Sequence, residues 1–461
     1  MNLRLPPSPL KAALFAFGLL CMVACNEVAA QPPVTPPVIP PTEPVSPPVV
    51  VTDKDSHYSL TVKIRKEDTI AQTESTYGGK VVVWRPDEKF AILALDKATG
   101  DQLAASGGTA TATLESNKKI FSGSGQLATM SASLSVWGGG IEAWAGGIEA
   151  WAGGTYAPIP QNTTKWQKLS LQQAQILAKN LGAGIKVAVI DSGIDLQHPA
   201  FTNALVPASD MWDYVGNDAT PQEEGVLGTD AAFGHGTSVA GIVLQIAPKA
   251  KILPLRVLRP DGSGDVLNVA AAINRAMQAG ANIINLSLGS DTNSQAVNDA
   301  IHAATLRGIF VISSSGNTNN QNVTFPANQA NLDATLGGQF SLSVGSVDAN
   351  DNKSAFSTFG ATLEVSAPGE QVFSPVPSNK LGAWSGTSMS APMVSASLAL
   401  AMGQSLKANS IDLTKILKNT TVNIYKSGQN AAYKIDSPDS SILMLGDGRL
   451  DIHNFMKSVV P

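Results

Sequence analysis

Three short segments, far apart in the chain, each carry one group of a possible nucleophilic site: Asp191-Ser192-Gly193-Ile194-Asp195, Phe233-Gly234-His235-Gly236-Thr237 and Gly386-Thr387-Ser388-Met389-Ser390-Ala391-Pro392. They offer a carboxylate, an imidazole and a hydroxyl. An alcohol is a poor nucleophile at neutral pH until a positioned base takes its proton, and that base needs a carboxylate to orient it. Each of the three groups stands among glycines or other small residues, so backbone and substrate can approach closely. Taken singly, each has a plainer reading. Asp-Ser-Gly makes turns, a lone histidine before an apolar helical run is more often structural, and a serine at a helix start is more often an N-cap. For the segments to be inert, all three plainer readings must hold at once.

The elements around them are those of an α/β domain. Residues 185–190, 251–255, 281–286, 308–312 and 340–344 are short, nearly continuous apolar runs, the pattern of strands buried on both faces of a parallel sheet. Helical patterns over 266–279 and 294–307 run up to Gly280 and Gly308. A mainly parallel sheet flanked by helices follows. Asp191 comes directly after the run at 185–190, at the carboxyl end of a strand, where open α/β sheets gather their sites. His235 stands just before an apolar helical stretch, 237–246. Ser388 opens a helix of small residues, with Pro392 expected in its first turn.

The N-terminal half is organised differently. Arg4 and Lys11 precede an apolar stretch, 12–24, that is too short for a membrane span and reads as an export signal. Two endings compete. Val28-Ala29-Ala30 suits ordinary cleavage, whereas Met22-Val23-Ala24-Cys25 resembles a bacterial lipobox, in which Cys25 would carry a lipid membrane anchor. Cys21 and Cys25 are the only cysteines, so neither outcome leaves an intramolecular disulfide. The expected divisions are a signal at 1–25 (or 1–30), a proline-rich spacer at 26–55 and a small α+β domain at 56–128. A glycine and tryptophan linker at 129–160 and the α/β domain at 161–461 follow. The linker repeats a seven-residue unit on Trp137, Trp144 and Trp151, a regularity for which we have no physical account. With 461 residues, 43% hydrophobic and 15% charged, and a net charge of -5, the chain is ordinary for a globular protein with a sizeable core. It has no long basic run to neutralise phosphates, which argues against nucleic acid; Lys63-Ile64-Arg65-Lys66, the densest basic cluster, reads as a solvated strand end.

From about Gly184 to Asp451, the three segments and the closing Gly446-Asp447-Gly448-Arg449-Leu450-Asp451 resemble the subtilisin-type serine proteases. That resemblance implies that Asp191 orients His235, that His235 takes the proton of Ser388, and that Ser388 forms an acyl-enzyme. It matches Asn317, with the backbone N–H of Ser388, to the donors for the oxyanion. It matches Gly262-Ser263-Gly264 and Ser287-Leu288-Gly289 to the strands that flank a bound peptide. Leu288-Gly289 and Ser315-Gly316 would wall the main specificity pocket, with Thr324 near its base. None of these is acidic, so neutral, apolar or aromatic side chains are expected there, although the loop at 318–324 has no clear counterpart. Ala200 stands where the family has a calcium-binding aspartate, and 240–248 lacks the family's insert. No cofactor is then expected for catalysis and the strong calcium site is expected to be absent, other calcium sites remaining open. Two further family histidines appear as Ser238 and Met393, which implies altered packing rather than altered chemistry. The domain at 56–128 weakly resembles the family's propeptides, which act as folding chaperone and inhibitor. The implied function is a serine endopeptidase acting on proteins or peptides, made as an exported precursor. The rival is a catalytically inactive surface lipoprotein that uses the fold for binding.

Overall fold

A computed structural model describes residues 56–107, 112–117, 119–122, 159–226, 229–330, 340–404, 413–426, 428–436 and 441–460. The export signal, Cys25, the proline-rich spacer and the tryptophan repeat lie outside the described residues, as does 123–128 at the end of the small domain.

That small domain is a four-stranded antiparallel sheet with two helices. Its strands are β1 (Tyr58–Lys63), β2 (Lys80–Arg85), β3 (Phe90–Leu95) and β4 (Ala112–Ser116), in the order β2-β3-β1-β4. Helix α1 (Ile70–Tyr77) starts at a Thr69/Gln72 capping box and stops at Gly78 in the left-handed conformation. Helix α2 (Lys97–Ala105) starts on the Asp96 side chain, which accepts from Thr99 N at 2.7 Å. Successive residues of the sheet serve two cores. Leu60, Val62, Val81, Ala91, Leu93 and Leu95 pack in the domain's own cluster, while Val83, Phe90, Ile92 and Ala94 are buried in a cluster shared with the α/β domain.

A further strand, β5 (Lys119–Ser122), leaves this domain and pairs with the next one.

The α/β domain is entered through α3 (Thr163–Lys168) and α4 (Leu171–Leu177). The five predicted runs all become strands of one parallel sheet: β6 (Lys186–Asp191), β8 (Lys251–Arg256), β10 (Ile283–Leu286), β12 (Phe310–Ser314) and β13 (Ser341–Val347). Two short strands, β7 (Trp212–Asp213) and β14 (Val365–Pro368), complete the order β14-β13-β12-β10-β6-β8-β7. The period of two again divides the side chains. Val187, Val189, Ile252, Ile283 and Ile312 face one core, with α5 (His235–Ile246) and α8 (Thr387–Met402). Ala188, Ile190, Leu253, Ile284 and Val311 face the other, with α6 (Val266–Gln278) and α7 (Gln295–Leu306). Both faces being covered is what lets the strands be apolar throughout.

Every residue of α8 is buried, so it has no polar stripe at all. Pro392 corrects one expectation. Thr387 is the first residue of α8, which puts Pro392 sixth, in the second turn rather than the first. A proline there has no N–H for the carbonyl four residues back, that of Ser388. An antiparallel pair, β15 (Val372–Val376) and β16 (Lys380–Trp384), leads into α8. The last helix, α10 (Ile452–Val459), follows α9 (Leu413–Asn419) and is capped by Asp451, which accepts from Asn454 N at 2.9 Å.

Candidate active site

Asp191 is the last residue of β6, His235 the first of α5 and Ser388 the second of α8. Side-chain exposure falls to 0%, 1% and 2% for the three residues, so they sit in a desolvated site. Gly236 is what lets the first two segments meet. A Cβ on it would lie 2.1 Å from the carbonyl oxygen of Gly193 and 3.2 Å from Cβ of Asp191. His235 Nδ1 stands 2.7 Å from Asp191 Oδ1. A carboxylate can only accept, so Nδ1 carries the proton of the neutral ring and Nε2 is left as the acceptor. Asp191 Oδ1 also accepts from its neighbour Ser192, N–H at 2.7 Å and Oγ at 3.2 Å. Trp384, at the end of β16, meets the imidazole edge-on with ring centroids 5.5 Å apart. Burial pulls the pKa of His235 down. The charge and hydrogen bond of Asp191, joined by the charge of Glu223, outweigh it and hold the pKa above its ordinary value.

Ser388 reaches the same site from α8. Ser238, one turn into α5, touches the sulfur of Met389 at 3.9 Å, and Met393 is buried in the core between helix and sheet. Ser388 is not an N-cap; that place belongs to Gly386, which makes no side-chain cap. Its Oγ donates to the carbonyl of Ser287 at 3.2 Å, and Nε2 of His235 is buried without a hydrogen-bond partner. The carbonyl of Ser388, left free by Pro392, accepts from Ser287 Oγ at 2.8 Å. Ser287 Oγ in turn accepts from Asn285 Nδ2 at 2.9 Å, and Asn285 Oδ1 accepts from Ser395 at 2.9 Å. A buried polar chain thus ties the turn carrying Ser388 to the central sheet.

Asn317 is drawn to this turn. Its Oδ1 accepts from the N–H and hydroxyl of Thr387 at 2.9 and 3.0 Å, which aims Nδ2 the other way. A Cβ on Gly386 would lie 3.2 Å from that Nδ2 and 3.7 Å from the backbone N of Ser388. Both nitrogens therefore lie within 4 Å of one point at Gly386. The residues expected around a pocket are also adjacent. Thr324 donates to the carbonyl of Ser315 through both N–H (3.0 Å) and Oγ1 (3.1 Å), and Phe325 and Ser290 exchange backbone bonds of 2.9 Å, placing Thr324 behind Leu288-Gly289. Gly316 is held by Thr387 and Thr358, and the 318–324 loop by Thr358 and Phe356.

The two expected flanking strands are present as β9 (Ser263–Asp265) and β11 (Leu288–Gly289), with Gly262 in the turn before the first and Ser287 just before the second. Between them lies β5, antiparallel to both, with Ile120 opposite Gly264, Phe121 between Ser263 and Gly289, and Ser122 opposite Leu288. Four features were not foreseen: the placement of β5, Trp384, the hydroxyl of Ser287 and the buried carboxyl of Glu223.

The match to known proteins is extensive. Residues 182–438, more than half of the chain, match the subtilase family of peptidases. The chain belongs to the subtilase family. Thermitase of Thermoactinomyces vulgaris is 35% identical to this subtilase over 272 residues, 57% of this chain and 89% of thermitase. Subtilisin BL and subtilisin Savinase, both of Lederbergia lenta, are each 34% identical over 261 residues, 54% of this chain and 88% of theirs. The protein is therefore a subtilisin-like serine endopeptidase with protein or peptide substrates, on a subtilisin-like parallel sheet flanked by helices.

Proposed function

We propose that this subtilase cleaves peptide bonds with Asp191, His235 and Ser388 as its triad, and that it is made as an exported precursor whose N-terminal domain blocks its own cleft. The observation that carries the first part is the buried 2.7 Å bond between His235 Nδ1 and Asp191 Oδ1, with the buried Nε2 left as an acceptor. Ser388 Oγ attacks the peptide carbonyl while His235 Nε2 takes its proton and then gives it to the leaving amine. Water, deprotonated by the same imidazole, hydrolyses the acyl-enzyme. This requires Ser388 to turn from the carbonyl of Ser287 to Nε2, a change of one side-chain rotamer. The oxyanion would be held by Asn317 Nδ2 and Ser388 N–H, both fixed before reaction. No cofactor enters these steps.

The second part is supported by β5. A peptide lying antiparallel between two cleft strands is bound as a substrate is, by main-chain hydrogen bonds. The domain also supplies partners to the two helices beneath it. Glu115 accepts from Gln295 N at 2.9 Å, Ala296 N at 3.4 Å and Ser294 Oγ at 3.2 Å at the start of α7, and Asn117 accepts from Leu267 N at 3.3 Å at the start of α6. Such capping fits an inhibitor and folding chaperone. Export belongs to the reading through the apolar stretch after Arg4 and Lys11, and Cys25 would carry the anchor if the lipobox is used. Among the described residues no helix is long and apolar enough to cross a membrane.

A fluorophosphonate, which acylates activated serines, should label Ser388 in the wild type and no residue in Ser388→Ala or His235→Ala. Absence of labelling and of peptide hydrolysis in the processed wild type would instead favour an inert binding scaffold.

A further inference from the structure

Glu223 stands in a loop before α5, and its neighbour Glu224 reaches solvent, yet Glu223 is only 3% exposed. Everything that touches its carboxyl is a donor. Oε1 accepts from Ser192 Oγ at 2.5 Å and from Gly234 N at 2.8 Å, and Oε2 accepts from Thr237 Oγ1. The hydroxyls of Ser192 and Thr237 already accept backbone N–H groups, from Gly236 and Asp195, both at 2.9 Å. Glu223 thus joins the turn after Asp191 to the turn that carries His235. The charged and titratable groups around it are Asp191 and Asp195 from the end of β6 and its loop, His235 from α5, Arg256 from β8, and Glu224 and Asp230 from its own loop. Arg256 is turned to Asp213 (2.8 Å), Glu224 (3.0 Å) and the carbonyl of Gln222 (3.3 Å).

The proton of Ser192 has two acceptors to choose from: Glu223 Oε1 at 2.5 Å and Asp191 Oδ1 at 3.2 Å. We infer that Glu223 is a positioning residue for the triad, whose carboxylate draws the Ser192 hydroxyl off Asp191 and leaves Asp191 free to hold the imidazolium. The inference rests on the triad reading and deepens it. When Glu223 is protonated, Ser192 gives its proton to Asp191 Oδ1, which then serves three donors, and His235 also loses the attraction of a nearby charge. Both changes disfavour the imidazolium that forms in the transition state. Burial pushes the Glu223 carboxyl up to about 7, against the bonds from Ser192, Thr237 and Gly234 and with the charge of Asp191 adding. The switch therefore falls near neutral pH, with the active form on the alkaline side.

The test compares Glu223→Gln, Ser192→Ala and the double variant by the pH profile of kcat/KM on a peptide amide. The His235 titration is followed in parallel by NMR in full-length Ser388→Ala. Glu223→Gln should lower the His235 pKa, and the acid limb with it, by about one unit. It should lower the alkaline plateau about tenfold, the worth of one hydrogen bond in the transition state. In the Ser192→Ala background the same change should lower the plateau several-fold less than in the wild type, because no hydroxyl remains to shift onto Asp191 and only the lost charge is felt. A loss of activity with both the acid limb and the His235 titration unmoved would overturn the inference, since packing alone would do that. Should Glu223→Gln fail to fold, Ser192→Ala by itself decides. The wild-type acid limb should be steeper than one proton allows, and the variant's should be less steep; equal steepness overturns the inference. If Ser388→Ala still hydrolyses peptides, the triad reading fails instead.

Discussion

The Ser287 hydroxyl offers a sharp test of how the Ser388 turn is held, because two of its partners have nowhere else to go. Pro392 cannot donate to the carbonyl of Ser388, which depends on Ser287 Oγ at 2.8 Å, and Asn285 Nδ2 donates to the same oxygen at 2.9 Å. Ser287→Ala strands a buried acceptor and a buried donor. Each costs about 1–3 kcal/mol, so a loss of roughly 2–6 kcal/mol is expected. For a domain of this size that lowers Tm by about 4–10 °C. Pro392→Ala returns an N–H to the position from which a helix supplies the Ser388 carbonyl. Whatever it does by itself cancels in a double-mutant cycle, and in the Ser287→Ala background it should recover about 1 kcal/mol. Thermal unfolding of the four proteins in the Ser388→Ala background, where self-digestion is absent, measures the coupling. Additive effects, or a Ser287→Ala protein as stable as its parent, would refute the claim that these groups form one tether.

Asn317→Ala should reduce kcat with little change in KM; in a subtilisin the loss of such a donor costs about 10²–10³-fold, and that figure belongs to the relative. Activity should fall as pH drops through a His235 pKa above the ordinary 6.5, because the base must be neutral, and a kcat/KM profile reads this directly. Glu115→Ala removes the small domain's bonds to the start of α7 and should speed the appearance of activity from the precursor, followed with a fluorogenic peptide after dilution. Among peptides varied at the residue before the scissile bond, apolar and aromatic side chains should be cleaved faster than Lys or Arg, because no charged group lies among Leu288, Gly289, Ser315, Gly316 and Thr324.

Much of this was legible in the sequence because burial on both sides leaves a plain signal. The five sheet strands are continuous apolar runs, and Gly280 and Gly308, at φ of 69° and 75°, end the helices before them. Asp191, His235 and Ser388 stood out as candidates because each sits at an element boundary among small residues. What escaped depends on distant partners. Strand β5 has only four residues and gains its meaning from chain more than 140 positions away. Glu223 lies in a polar Gln-Glu-Glu run that looks solvated, and only the fold turns one glutamate in and the next out. Helix α2 was missed because Gly100 weakens the helical pattern in its middle. Pro392 was misplaced by a turn because α8, buried all round, shows no periodicity from which to count.

The most direct test of the account is the intact mass of the protein purified after export, with and without Ser388→Ala. The wild type should lose its N-terminal domain by cleavage beyond Ser122, and Ser388→Ala should keep residues 56–122 joined to the rest and hydrolyse no peptide. Identical masses for the two, or peptide hydrolysis by Ser388→Ala, would contradict it.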